Sequence, residues 1–136
     1  GKINSSIAKY LLWKYEIYLE DMDGKGYSPT RYNKIVQPEL EHIAPKTEPQ
    51  VTLHGYDVYD DDFKNQYLDC LGNYLLLSKS HNCAVGNIPF KSKLATYLNN
   101  KQQREISEFT KPKFRWTKGV IKTRNDKIIS VIMNGC

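Results

Sequence analysis

Two short segments of this chain carry side chains that could hydrolyse a phosphodiester bond together. Glu41 and His42 are adjacent in sequence, and Asn82 follows farther along. Glu41 and Asn82 offer one charged and one neutral oxygen ligand, and hard oxygen ligands suit Mg²⁺ better than zinc. The ordinary pKa of histidine, about 6.5, allows His42 to take a proton from water at neutral pH. A metal ion and a histidine base beside a phosphodiester would make a hydrolytic nuclease.

Two strands and a helix must bring these side chains together. Alternation along the chain predicts a short strand at 39–43, stopped by Pro45, and the apolar run Tyr74–Ser78 predicts a buried strand. A short helix follows the second strand. Because alternate strand residues face opposite ways, Glu41 and His42 can reach one site only if the strand has already ended in a bulge or loop. Pro45 favours such an early end.

Helical spacing of apolar residues predicts further helices around this unit. One follows Ser5 or Ser6 as its N-cap, and another follows Asp62 and stops at Gly72. The turn-rich stretch at 21–26 is predicted as a loop. The predicted helices are 5–20, 63–71, 80–85, 89–97, 101–109 and 116–133. The sequence therefore predicts an α+β domain with helices around a small sheet.

Composition narrows the class of protein. The length of 136 residues fits one domain, and no stretch approaches the roughly 20 apolar residues that a membrane-spanning helix needs. Three cysteines without a CxxC pair argue against a disulfide framework or a cysteine zinc site and suit a reducing cytoplasm. The net charge of +5 is compatible with a nucleic-acid partner but does not establish one. Because the chain starts at Gly1 without Met, we expect a fragment of a larger protein.

Three motifs and a tail, in order, resemble a family of nucleases. They are EHIAP at 41–45, LGNYLLL at 71–77, SHN at 80–82 and the tail PFKSK at 89–93. Together they resemble the HNH subgroup of the His-Me finger (ββα-metal) endonucleases, and more closely the C-terminal HNH domain of GmrSD-type restriction enzymes. Asn82 lies nine residues after Asn73, which is the spacing that HNH nucleases use. The resemblance is clear over about 35–100 and looser at the C-terminal helix with Trp116 and Arg124.

The resemblance implies a domain organisation. A ββα-metal (His-Me finger) core would occupy 35–100, with an N-terminal helix and loop at 1–34 before it and C-terminal helices at 101–136 after it. The three parts would form a single HNH nuclease domain over 1–136.

Carried over by position, the resemblance also implies the roles of the site residues. His42 would be the general base, and Glu41 and Asn82 would bind Mg²⁺, for which Mn²⁺ can substitute. Asn73 would hold the loop that orients His42, using its side-chain amide on backbone groups. Glu41 stands where Asp is more usual in the family, and Tyr74 replaces the commoner Leu.

Several basic residues and one further histidine are candidates for binding roles. Lys91, Lys93 and Arg124 would contact DNA phosphates, with solvated charges on helix surfaces as the alternative interpretation. His81, beside Asn82, is an alternative metal ligand.

The implied activity is that of a metal-dependent DNA endonuclease in a bacterial restriction or anti-phage defence system. Its substrate would be DNA, including modified or phage DNA. The resemblance also implies that the larger protein carries an NTP-dependent domain upstream. No P-loop of the form GxxxxGKS/T occurs in these residues, so we expect any nucleotide-binding part to lie outside them. Two alternatives stay open: a non-catalytic nucleic-acid-binding module with the same fold, and a ribonuclease of the same finger type.

Overall fold

Two strands and the helices around them make up the described part of the chain. The structure is a computed structural model that describes residues 2–22, 38–50 and 54–134. The helices are α1 (Ser5–Met22), α2 (Lys79–Val85), α3 (Phe90–Thr96), α4 (Lys101–Thr110) and α5 (Lys118–Asn134), the strands are β1 (Glu39–His42) and β2 (Tyr74–Leu77), and a π-helical turn (Phe63–Tyr67) and a 3-10 turn (Leu71–Asn73) precede β2. None of these helices is both long and apolar enough to cross a membrane.

The sheet pairs β1 with β2 in antiparallel register, so that His42 lies opposite Tyr74. All four residues of β2 are buried, because a hydrophobic cluster covers each face of the strand. Leu75 and Leu77 belong to one cluster, and Tyr74 and Leu76 belong to the other. The predicted α+β class is confirmed, and a helix follows the strand pair as expected. The metal-binding part of the predicted core stays a prediction.

The two clusters attach the helices to the sheet. Phe90 of α3 packs in the first cluster together with Trp116 and Ile121 of α5 and the segment before it. Leu12 of α1 packs in the second cluster, which Ile128 of α5 also joins. Helix α5 therefore contributes to both clusters, and this places it against the turn that leads into β2.

The N-cap of the first helix lies earlier in the chain than the sequence suggests. Asn4 Oδ1 accepts hydrogen bonds from the backbone N–H groups of Ser6 at 2.9 Å and Ile7 at 3.3 Å. Asn4 is therefore the N-cap, and the assignment to Ser5 or Ser6 is corrected, because an asparagine side chain can reach the same free donors. The loop predicted at 21–26 lies, from residue 23 onward, outside the described residues.

The helix predicted at 63–71 is largely replaced by two short turns. Phe63–Tyr67 forms a π turn that continues a helical start at residues 61 and 62, and a separate 3-10 turn covers Leu71–Asn73. Asp60, rather than Asp62, accepts a hydrogen bond from the Phe63 N–H at 2.8 Å. Gly72 does not end a helix but lies inside the second turn, where α5 packs against it.

Candidate functional site

His42 is the last residue of β1 and lies on the same face as its cross-strand partner Tyr74. Its Nε2 is 2.9 Å from Asp69 Oδ1, and its ring meets the Tyr74 ring edge-on with centroids 4.7 Å apart. The His42 side chain keeps 22% of its surface exposed. Burial lowers the pKa of His42, against the raising effect of Asp69. The imidazole is therefore neutral at pH 7, which is the form that accepts a proton.

Glu41 lies on the opposite face of β1. Its Oε2 accepts a hydrogen bond from Tyr97 Oη at 3.0 Å and is paired with Lys93 Nζ at 3.0 Å. Burial raises the pKa of Glu41, and the Lys93 ammonium opposes that rise. Because His42 still pairs with Tyr74 in regular register, β1 does not end before His42. The condition under which Glu41 and His42 would meet at one point is not fulfilled.

Asn82 lies in α2, where it contacts Glu39 rather than Glu41. Asn82 Nδ2 donates a hydrogen bond to Glu39 Oε2 at 2.8 Å. The helix is capped at Ser78, four residues before Asn82, because Ser78 Oγ accepts a hydrogen bond from the His81 N–H at 3.1 Å. Glu39 and Glu41 are two residues apart on one strand and so share a face. The alternation of strand residues could therefore have indicated, from the sequence alone, that Glu39 lies on the same face as Glu41.

The donors on this face can be compared with the needs of a divalent cation. In the described part of the chain, no three His, Cys, Asp or Glu side chains are grouped as a metal site. Carboxylate and amide oxygens from Glu39 and Asn82 suit Mg²⁺ in kind. Glu41 fits less well, because a cation at its carboxylate would compete with the Lys93 ammonium already 3.0 Å away. The structure therefore favours Glu39 over Glu41 as the partner of Asn82.

Asn73 fixes the chain immediately after His42. Its Oδ1 accepts hydrogen bonds from the Ala44 N–H and from Trp116 Nε1, both at 2.8 Å. Its Nδ2 donates to the carbonyls of Leu68 at 2.8 Å and Ala44 at 3.1 Å. The Asn73 side chain is fully buried. These are contacts of a side-chain amide with the backbone beside His42, which is the kind of contact that the resemblance implies for this residue.

Helix α5 supports the same turn from the other side. Arg124 Nη1 donates to the carbonyls of Gly72 at 2.9 Å and Tyr74 at 2.6 Å. Asn125 Oδ1 accepts a hydrogen bond from the Gly72 N–H at 2.9 Å. A Cβ on Gly72 would lie 2.9 Å from the Asn125 backbone nitrogen and closer still to the Ile121 carbonyl oxygen. The helix can approach so closely only because residue 72 has no side chain.

The three residues predicted to contact DNA phosphates differ in their burial. Lys93 and Arg124 are fully buried, and Lys93 Nζ and Arg124 Nη1 donate to groups of the protein itself. Lys93 Nζ donates to the His42 and Ile43 carbonyls, both at 3.0 Å, in addition to pairing with Glu41. Both residues are therefore reassigned from DNA contact to support of the site, because neither side chain reaches solvent. Lys91 is exposed and keeps its predicted role as a proposal.

Some residues of the site were not found from the sequence. Asp69 lies in a turn with no motif of its own, and only the fold brings it to His42. Lys46 is exposed and near enough to His42 for their charges to interact, and exposed Lys2 stands in the same relation to Asp69. Lys46 is therefore an exposed cation close to His42 that the sequence analysis did not single out.

Comparison with known proteins places the chain in a family. A family model described as "GmrSD restriction endonucleases, C-terminal domain" matches residues 2–131, nearly the whole chain. No curated protein and no solved structure gives a significant match. The matched span contains the strand pair, Asn73 and the supporting helix α5. The chain therefore belongs to the family of C-terminal domains of GmrSD restriction endonucleases, and it is a nuclease domain of the restriction-endonuclease type.

Proposed function

We propose that this domain is an HNH-type endonuclease that hydrolyses phosphodiester bonds in DNA with His42 as its general base. The placement of His42 is the observation that supports this most strongly. The ring is neutral, part-exposed and fixed through Nε2 by Asp69, so its other nitrogen, Nδ1, carries the lone pair that can take a proton.

The surroundings of His42 support the role because they hold its backbone in place. Lys93 donates to the His42 and Ile43 carbonyls, and Asn73 binds both backbone groups of Ala44. A base must lie within hydrogen-bond reach of the water that it activates, and a fixed backbone keeps it there. His42 Nδ1 would remove a proton from a water molecule as that water attacks the phosphorus atom.

Dependence on Mg²⁺, with Mn²⁺ able to substitute, is part of the proposal. Contact between Asn82 Nδ2 and Glu39 Oε2 supports Asn82 and Glu39, whose side chains both carry oxygens, as the ligands, in place of the pair of Glu41 and Asn82 that the resemblance implies. When bound, such an ion would neutralise charge on the scissile phosphate and its leaving oxygen. All steps assigned to the chain itself, the orientation of His42 and its uptake of a proton, are independent of which carboxylate binds.

DNA is proposed as the substrate because the family is one of restriction endonucleases. A role in bacterial restriction or anti-phage defence, with an NTP-dependent domain in the full-length protein, follows from the same membership and belongs to the proposal. Exposed Lys46 and Lys91 would contact phosphates, since cations that reach solvent can release the counterions of DNA.

Nicking of a supercoiled plasmid in Mg²⁺ or Mn²⁺ tests this function. We expect His42→Ala to reduce the nicking rate by roughly 10²–10⁴-fold, the usual contribution of a general base, and to leave DNA binding intact. His54→Ala, which replaces a histidine elsewhere in the chain, is the matched control and should nick at the wild-type rate. Equal rates for wild type and His42→Ala would refute the assignment. DNA binding without nicking by the wild type would indicate a binding module, and faster cleavage of RNA would indicate a ribonuclease.

A further inference from the structure

We infer that Asp69 is a positioning residue for His42 and that Tyr74 in turn fixes Asp69. The inference rests on the proposed function of His42 and extends it to two residues that neither the motifs nor the family match assign. The three side chains come from the end of β1, the turn before β2 and the first residue of β2. They therefore meet only in the folded chain.

The Asp69 carboxylate receives two donors on one oxygen. His42 Nε2 lies 2.9 Å from Asp69 Oδ1, and Tyr74 Oη donates to the same oxygen at 3.2 Å. The His42 and Tyr74 rings also contact each other edge-on, with 4.7 Å between centroids. Each of the three side chains therefore contacts the other two. A hydrogen bond and a ring contact together restrict rotation of the imidazole about its side-chain bonds.

The burial of the pair separates it from an ordinary surface ion pair. The side chains of His42 and Asp69 are only 22% and 24% exposed. The backbone on each side of Asp69 is also held, because the Leu68 carbonyl accepts a hydrogen bond from Asn73 Nδ2 and the Cys70 N–H donates to the Tyr67 carbonyl. The carboxylate is thus fixed before any substrate binds, which a flexible surface pair does not achieve.

The chemical consequence concerns which nitrogen of His42 carries the proton. A carboxylate only accepts hydrogen bonds, so Asp69 favours the tautomer with hydrogen on Nε2 and leaves the lone pair on Nδ1. When Nδ1 takes a proton, the same carboxylate stabilises the imidazolium that forms. Asp69 does not touch the substrate in this scheme, so its loss should lower kcat and leave KM nearly unchanged.

The test combines plasmid nicking with nitrogen-15 NMR of the His42 imidazole at a pH where it is neutral. We expect Asp69→Ala to lower kcat at least about 100-fold with KM within about twofold, and Asp69→Asn, whose amide can donate to Nε2 and favour the wrong tautomer, to lower kcat at least as much. Wild type should show mainly hydrogen on Nε2, Asp69→Ala a mixture, and Asp69→Asn a shift toward hydrogen on Nδ1. Tyr74→Phe should lower kcat a few-fold. Asp61→Asn, which changes an exposed carboxylate, is the control.

The two readouts keep this inference separate from the proposed function. An unchanged tautomer and unchanged kcat in Asp69→Ala would overturn the positioning role. A tautomer that depends on Asp69, in a protein whose nicking is unaffected by His42→Ala, would support the positioning contact and refute His42 as the base. Because Asp69→Asn has nearly the shape of the native side chain, it tests the role of the acceptor-only carboxylate even if Asp69→Ala folds poorly.

Discussion

Lys93 and Glu41 form an ion pair, 3.0 Å from Nζ to Oε2, whose side chains are 0% and 6% exposed. The other hydrogen bonds of the Lys93 ammonium go to the carbonyls of His42 and Ile43. One lysine from α3 therefore holds the end of β1 at three points, two of them backbone. Lys93 therefore supports the backbone of His42, the proposed general base.

Loss of Lys93 should destabilise the protein strongly. Lys93→Met would leave the Glu41 carboxylate buried without its partner, and removing one member of a buried ion pair costs about 3–5 kcal/mol. Urea unfolding should show this loss. Lys91→Met is the matched control, since Lys91 is exposed on the same helix, and should change the free energy of unfolding by less than about 0.5 kcal/mol. The double variant Lys93→Met/Glu41→Gln should regain part of the loss, and a single variant as stable as wild type would contradict the pairing.

Binding to DNA should depend on the exposed lysines near the site. We expect Lys46→Gln and Lys91→Gln each to weaken binding of a duplex and to reduce the salt dependence of the binding constant by about one charge contact. Titration at several salt concentrations measures both effects. Lys122→Gln is the control, because Lys122 is exposed but paired with Asp126 on α5. The assignment fails if all three variants bind with the same salt dependence as wild type.

The close contact between Gly72 and α5 can be tested with alanine. Gly72→Ala forces a Cβ against backbone atoms of Ile121 and Asn125, which cannot move as a flexible side chain would, and should cost at least about 2 kcal/mol. Gly119→Ala places the same methyl group in open space within α5 and should stabilise the protein by about 0.5–1 kcal/mol. Thermal unfolding of both variants gives the comparison. Equal effects would show that the turn and the helix are not in tight contact.

Binding of Mn²⁺ identifies the carboxylate that accompanies Asn82. Electron paramagnetic resonance of Mn²⁺ should show affinity reduced at least about tenfold in Glu39→Gln and Asn82→Ala, because each removes a direct oxygen donor. Glu41→Gln should bind Mn²⁺ as wild type does, since its carboxylate is engaged by Lys93. If Glu41→Gln instead reduced Mn²⁺ affinity and Glu39→Gln did not, the result would favour Glu41 and Asn82, the ligand pair that the resemblance implies.

The elements that depend on local pattern were predictable from the sequence. The strands β1 and β2 and the helices α1, α3 and α4 begin and end within two residues of their predicted bounds. Periodicity of apolar residues and a proline at a helix start act over a few residues, so the printed sequence contains them. The segment 63–71 was predicted as one helix, whereas Gly72 lies in a separate 3-10 turn that α5 contacts from 53 residues along the chain, and local pattern does not contain so distant a contact.

The sequence motifs located part of the candidate site, but not the directions of its side chains or the residues that other turns contribute. The motifs located His42 and Asn73, and the chain does place them beside one another around Ala44. Which way Glu41 faces depends on where β1 stops pairing, and this is decided by its partner Tyr74 rather than by the local sequence. Lys93 looked like any surface lysine because nothing nearby in sequence shows that its ammonium meets three acceptors inside the protein.

The support that α5 gives to the turn before β2 also sets an order of events in the cell. Trp116 and Arg124, which bind Asn73 and the carbonyls around Gly72, are synthesised well after the turn that they hold. Since a chain emerges from the ribosome N-terminus first, the segment with His42 is complete while its support is still being made. A growing or prematurely terminated chain that lacks Trp116 and Arg124 therefore also lacks the contacts that hold Asn73 and the turn around Gly72.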